Sequence, residues 1–152
     1  MSRSHLPAAL ALLALAGAAS AQGVEVEPVK SWGGKFNDTK LKKHAPKGGL
    51  VTDAKAFERL WKAWFKGQQL TKVDFTKQFV VVITTTGPNS VSIHRPTLEG
   101  GELKFTVAST LIFGDGFGFT LAVFDRKGIT KVNGKALPKA PKAKPKEGEP
   151  EK

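Results

Sequence analysis

The chain has 152 residues, with 24 lysines and arginines against 13 aspartates and glutamates, a formal charge of +11, and neither cysteine nor tyrosine. Without cysteine there is no disulfide, no thiol nucleophile, no thiolate-held metal and no cysteine-borne lipid anchor, so the fold must rest on burial alone. The basic excess favours contact with anionic surfaces and bears on association rather than on fold.

The first 21 residues have the three parts of a secretory signal. Arg3 gives a positive start, Ala8 to Ala19 carries no polar side chain, and Ala19-Ser20-Ala21 offers the small residues a signal peptidase accommodates. The apolar run is shorter than the roughly 20 residues a membrane-crossing helix needs. The expectation is cleavage between Ala21 and Gln22, which places the mature chain in the periplasm or outside the cell.

Residues 22–47 form a basic and partly extended segment. Val24, Val26 and Val29 suggest a short edge strand. Trp32-Gly33-Gly34-Lys35-Phe36 is expected to pack on the domain through its two aromatic rings. Lys40-Leu41-Lys42-Lys43-His44 is a local cluster of charge, and Ala45-Pro46-Lys47-Gly48-Gly49 marks a turn.

A domain is expected over 48–137. Its helix begins at Thr52 or Asp53, either of which can offer a side-chain oxygen to the free amides of the first turn. Phe57, Leu60, Trp61, Trp64 and Phe65 fall on one helical face, Glu58 and Lys62 are spaced for an ion pair, and Gly67 ends the element. From Phe79 to Thr86 the chain is almost wholly β-branched, as in a central strand buried on both faces. Val91 to His94 and Leu103 to Val107 alternate around Glu99-Gly100-Gly101. Phe119 to Phe124 is a further strand, Ile129 to Val132 a short last one, and Asn133-Gly134 a tight-turn signal. The pattern is α+β, one amphipathic helix packed on a mostly antiparallel sheet of about five short strands. The tail, 138–152, repeats proline, lysine and alanine without a large apolar side chain and is expected to be disordered.

Catalytic groups are few. His44 and His94 stand beside lysine or arginine, poor surroundings for a cation, and lack metal-ligand spacing. Phe113-Gly114-Asp115-Gly116-Phe117-Gly118-Phe119 alternates glycine with larger residues, but no helix follows as a dinucleotide loop requires, and a calcium loop's ligand series is absent. No nucleophile elbow or zinc-protease helix is present. The expectations are no enzyme activity, no cofactor and no metal; only a pocket gathering His94, Asp115 and Asp125 would revive catalysis. Glycines in the 113–119 segment permit close backbone approach. Its three phenylalanines, at alternating positions, are read as pointing to one face. There they either pack on the helix, as is usual for a glycine-bearing strand with a bulge, or form an aromatic rim for a ligand or peptide.

The step Val73-Asp74-Phe75-Thr76-Lys77-Gln78-Phe79-Val80-Val81-Val82, after a capped helix carrying Leu60-Trp61, resembles the PrcB-like C-terminal domain of exported bacterial proteins, over about Leu50–Val107. That domain is named for a subunit that stabilises a secreted protease complex. The resemblance implies a non-enzymatic role in supporting a partner protein. It departs at Gly87-Pro88-Asn89-Ser90, where the family tends to carry Gly-Gly-Tyr.

Two functional expectations follow. The first is a non-catalytic, exported protein-interaction module that supports another secreted or envelope protein through Asn89, Ser90, Phe113, Asp115, Phe117 and Phe119. The alternative is a protein that associates with polyanions or the cell wall through Lys40, Lys42, Lys43, Lys139, Lys142, Lys144 and Lys146, in which case affinity falls with salt.

Overall fold

A computed structural model describes residues 23–142. The expected leader, 1–21, and Lys144 and Lys146 of the tail lie outside the described residues. In chain order the elements are β1 (Val24–Glu25), β2 (Lys30–Phe36), a 3-10 turn (Thr39–His44), β3 (Leu50–Val51), α1 (Ala54–Trp64), β4 (Gln78–Thr84), β5 (Val91–Glu99), β6 (Glu102–Ser109), β7 (Phe117–Asp125), β8 (Lys131–Val132) and β9 (Lys135–Ala136). The α+β class and the antiparallel bias stand. The strands divide into two sheets, ordered β2-β7-β4-β3 and β1-β5-β6-β8-β9, and the one parallel pairing of named strands joins β6 to β8.

Alternation along β4 and β7 explains the stacking. Val80 and Val82 of β4, with Phe117, Phe119, Leu121 and Val123 of β7, face α1. Phe79 and Val81, with Ala122 and Phe124, face the second sheet through Leu103, Ile129 and Val132. The four-stranded sheet is therefore the middle of three layers, which is why β4 needs apolar residues at successive positions and not only at every second one.

Helix α1 covers the outer face as its periodicity predicts, with Phe57, Leu60, Trp61 and Trp64 all buried. Asp53, not Thr52, is the cap: its Oδ1 accepts the Ala56 N–H at 2.9 Å. The helix stops at Trp64, ahead of Gly67, where Phe65 leaves helical geometry as the C-cap; its ring stacks on Trp61 (4.3 Å between centroids) and meets Phe119 edge-on. Lys62 and Glu58 form the expected pair at 2.6 Å on the exposed face.

The Val73–Val82 step has a local physical logic. Asp74 caps the turn into β4, its Oδ1 accepting the N–H and hydroxyl of Thr76, while its carbonyl accepts from Lys77 and Gln78. The Thr76 hydroxyl bond is the main reason the Asp74 carboxyl lies below its ordinary range. Phe75 turns inward, 5.7 Å from the Phe57 ring.

The N-terminal segment is more than a flank. β1 pairs with β5 in one sheet and β2 pairs along its whole length with β7 in the other, so the segment before residue 48 contributes a strand to each sheet. Trp32 meets Trp61 edge-on at 5.2 Å and Phe36 stacks on Phe119 at 4.8 Å, as expected of the two rings. The unexpected part is a seven-residue strand across Gly33-Gly34. Gly34 lies opposite Phe119, whose ring would be about 3.0 Å from a Cβ at that position. At the other end, the Leu137 N–H still donates to Thr130, and the Pro138 carbonyl accepts from Arg126. Lys139 and Lys142 lie beyond, exposed and outside any helix or strand.

Candidate functional site

Two loops meet at one end of the middle sheet. One leaves β4 through Gly87-Pro88-Asn89, and the other joins β6 to β7 across residues 110–116. Asn89, only 4% exposed, binds them together. Its Nδ2 donates to the Thr86 carbonyl at 2.6 Å and to the Ile112 carbonyl at 3.2 Å. Its Oδ1 accepts the Ile112 N–H and the Thr110 hydroxyl. Both donors and both acceptor sites of the amide are thus used. A bridge between Gly87 and Phe117, and the Ser90 N–H donating to Thr110 Oγ1 at 3.0 Å, fasten the same region.

This clamp carries an apolar tip. Leu111 is 83% exposed, Phe113 90% and Ile112 46%. Three adjacent large apolar side chains facing water on a braced loop are what an interaction surface needs, whereas apolar residues exposed singly are ordinary. Asp115 is exposed beside the tip, and Ser90 is exposed at its base.

The juxtaposition of 87–90 with 113–119 agrees with the sequence, but the facing of its residues does not. Phe117 and Phe119 are not rim residues: they are 0% and 3% exposed, packed against Phe36 and Trp64. Alternation does not carry through the segment. Gly116, at φ +100°, passes so close to the Phe36 carbonyl that a Cβ there would overlap it, and regular strand begins only at Phe117. Phe113 therefore points out while the other two point in. Asn89 is a buried clamp, with no side-chain polar atom left for a partner. Leu111 and Ile112 were not anticipated, because a short apolar run between strands gives no periodic signal of its own.

Replacing Asn89 by alanine should lower stability by about 2 kcal/mol, since it leaves the Ile112 N–H and two carbonyls short of partners. Urea unfolding would show a lower midpoint, and hydrogen exchange would show faster loss at the Ile112 amide. An unchanged midpoint would contradict the clamp.

The other candidates are dispersed. Lys42 Nζ donates to the Thr85 carbonyl at 2.9 Å, so this lysine ties the 3-10 turn to β4. Lys40 and Lys43 of the same turn are exposed, and Lys43 and His44 line a cleft of about 320 Å³ with Arg59 of α1. His94 lies in β5 with its ring 2.9 Å from Ser92 Oγ. Asp125 ends β7 and Asp115 lies two residues before its start, so the whole strand, about 26 Å long at about 3.3 Å per residue, runs between them. His94, Asp115 and Asp125 are not gathered into one pocket. Among the described residues, no three histidine, aspartate or glutamate side chains are placed to hold a metal, and no helix is long and apolar enough to cross a membrane.

No family model, no curated protein and no solved structure matches the chain, so the resemblance of the Val73–Val82 step stands on those residues alone.

Proposed function

We propose that the chain is a non-catalytic, exported protein-interaction module that supports another secreted or envelope protein, with Leu111, Ile112 and Phe113 as its partner-facing element. The observation that carries this reading is the near-complete exposure of Leu111 and Phe113 on a loop fixed by Asn89. A loop held in place before contact loses little conformational freedom on binding, and a phenylalanine presented this way can act as an anchor in a partner's pocket. The residues at 1–21 support export, and the resemblance at Val73–Val82 supports a stabilising role.

The test compares the wild-type chain with Leu111→Ser/Phe113→Ser as bait in the extracellular and envelope fractions of the native host. The double variant should keep its unfolding midpoint and lose the specific partner. Capture of the same protein by both would reject the tip. A captured set unaffected by the substitutions but removed from both baits by salt would instead favour polyanion association through Lys40, Lys43 and Arg59.

A further inference from the structure

The second sheet stops short on one side. β6 pairs with β5 along most of its length, but β8 covers it only at Glu102 and Leu103. The Asn133 side chain extends that cover by one step, Oδ1 accepting the Phe105 N–H at 3.0 Å and Nδ2 donating to the Phe105 carbonyl at 3.1 Å. Backbone groups alternate in direction along a strand, so Val107 and Ser109 face the same way as Phe105, away from β5. Among the described residues nothing pairs with them on that side.

A cleft of about 340 Å³ opens beside this edge, between the two sheets. Phe105 and Val107 line one wall, Leu50 and Ile83 the other, and Lys47 and Lys135 stand among the lining residues with no carboxylate. Val107 is 46% exposed. Of the acidic residues of the β5–β6 hairpin, Glu99 is bonded to Lys104, and the Glu102 carboxylate accepts the Gly134 N–H between the lining residues Asn133 and Lys135 without itself lining the cleft.

We infer that β6 accepts an extended, acidic segment of a partner protein as an added strand. Outward N–H and C=O groups at alternate positions of a strand edge, otherwise met by water, form a template on which another extended backbone pairs. Side chains on one face of that strand enter the cleft and should be apolar, while Lys47 and Lys135 select for carboxylates. A second copy of this chain is disfavoured by its charge of +11. Its own tail, 138–152, is interrupted by Pro138, Pro141, Pro145 and Pro150, which lack the N–H a paired strand donates, and has no other apolar side chain larger than alanine to fill the cleft. The inference rests on the interaction-module reading for its purpose but uses a different surface.

A fluorescein-labelled peptide of alternating glutamate and valine serves as the probe, read by anisotropy and by amide exchange on the purified chain. It should bind saturably and protect the Val107 and Ser109 amides, and a lysine–valine peptide should not. Val107→Pro removes an outward N–H that no internal bond uses, a substitution edge strands tolerate. It should weaken binding by about tenfold or more. Should that variant not fold, the peptide N-methylated at alternate residues puts the same bonds to the test on the wild-type chain and should bind as weakly. The inference is overturned by absence of binding, by equal binding to Val107→Pro, or by protection confined to Ile112 and Phe113. It is also overturned if the chain sediments as a dimer that Val107→Pro separates. Any of these leaves the loop tip untouched, since Leu111 and Phe113 are tested on native partners.

Discussion

Replacing Phe117 by alanine should destabilise the chain by about 3–5 kcal/mol, the cost of losing a fully buried ring and leaving a cavity. The side chain is 0% exposed and sits 5.4 Å from the Phe36 ring and 5.7 Å from Trp64, so the cavity would open where β2, β7 and α1 meet. The rigid rings of Phe36 and Trp64 beside it leave little freedom to collapse into it. A loss of that size is a large share of the roughly 5–15 kcal/mol that holds a small domain folded. Urea unfolding followed by tryptophan fluorescence should report it directly, because Trp64 borders the cavity. Any loss of partner capture in this variant would then follow from unfolding. A Phe117→Ala protein with wild-type stability would place the ring outside the core after all.

Gly118→Ala should be similarly severe for a different reason. The backbone angles at Gly118 suit any residue, and the obstacle is space. A Cβ there would overlap the Asn89 carbonyl oxygen, with Thr85 Oγ1 only 3.0 Å away. Neither neighbour can retreat. Thr85 Oγ1 accepts the Gly118 N–H at 2.9 Å, and Asn89 is the clamp that holds both loops. Overpacking against fixed backbone should cost about 3 kcal/mol or more and free the 110–116 loop. Gly48→Ala is the matched control, since nothing lies within 4 Å of its added methyl, and it should stay within about 0.5 kcal/mol of wild type. Equal stability of the two variants would contradict the close passage of Asn89 over β7.

What the sequence revealed depended on how local each signal was. The helix face, the two-sided burial of Phe79–Val82 and the Asn133-Gly134 turn are written in adjacent residues, and all three appear as read. The turn has φ of 42° and 79° at its two residues, the positive pair a two-residue hairpin requires. The division into two sheets was not legible, because it depends on pairings between distant segments. Thr120 reaches the Trp32 carbonyl across 88 positions of sequence, and nothing near Trp32 announces that partner. Gly33-Gly34 further disguised β2, since glycine normally argues against a strand. At the candidate site, the glycine spacing correctly signalled close backbone approach. It could not tell which phenylalanines face inward, because that is settled by where Gly116 lets the chain turn. The exposed Leu111 and Ile112 resembled an ordinary piece of buried strand.

The place of β7 in the middle sheet imposes an order in time. It lies between β2 and β4, yet it follows both in the chain, so neither neighbour has its central partner until residues 117–125 are available. During synthesis, the aromatic faces of β2 and α1 must wait for a strand from the last third of the sequence. Such late, long-range closure slows folding and prolongs the life of sticky intermediates. A nascent chain with this topology therefore keeps those aromatic faces uncovered until residues 117–125 have emerged.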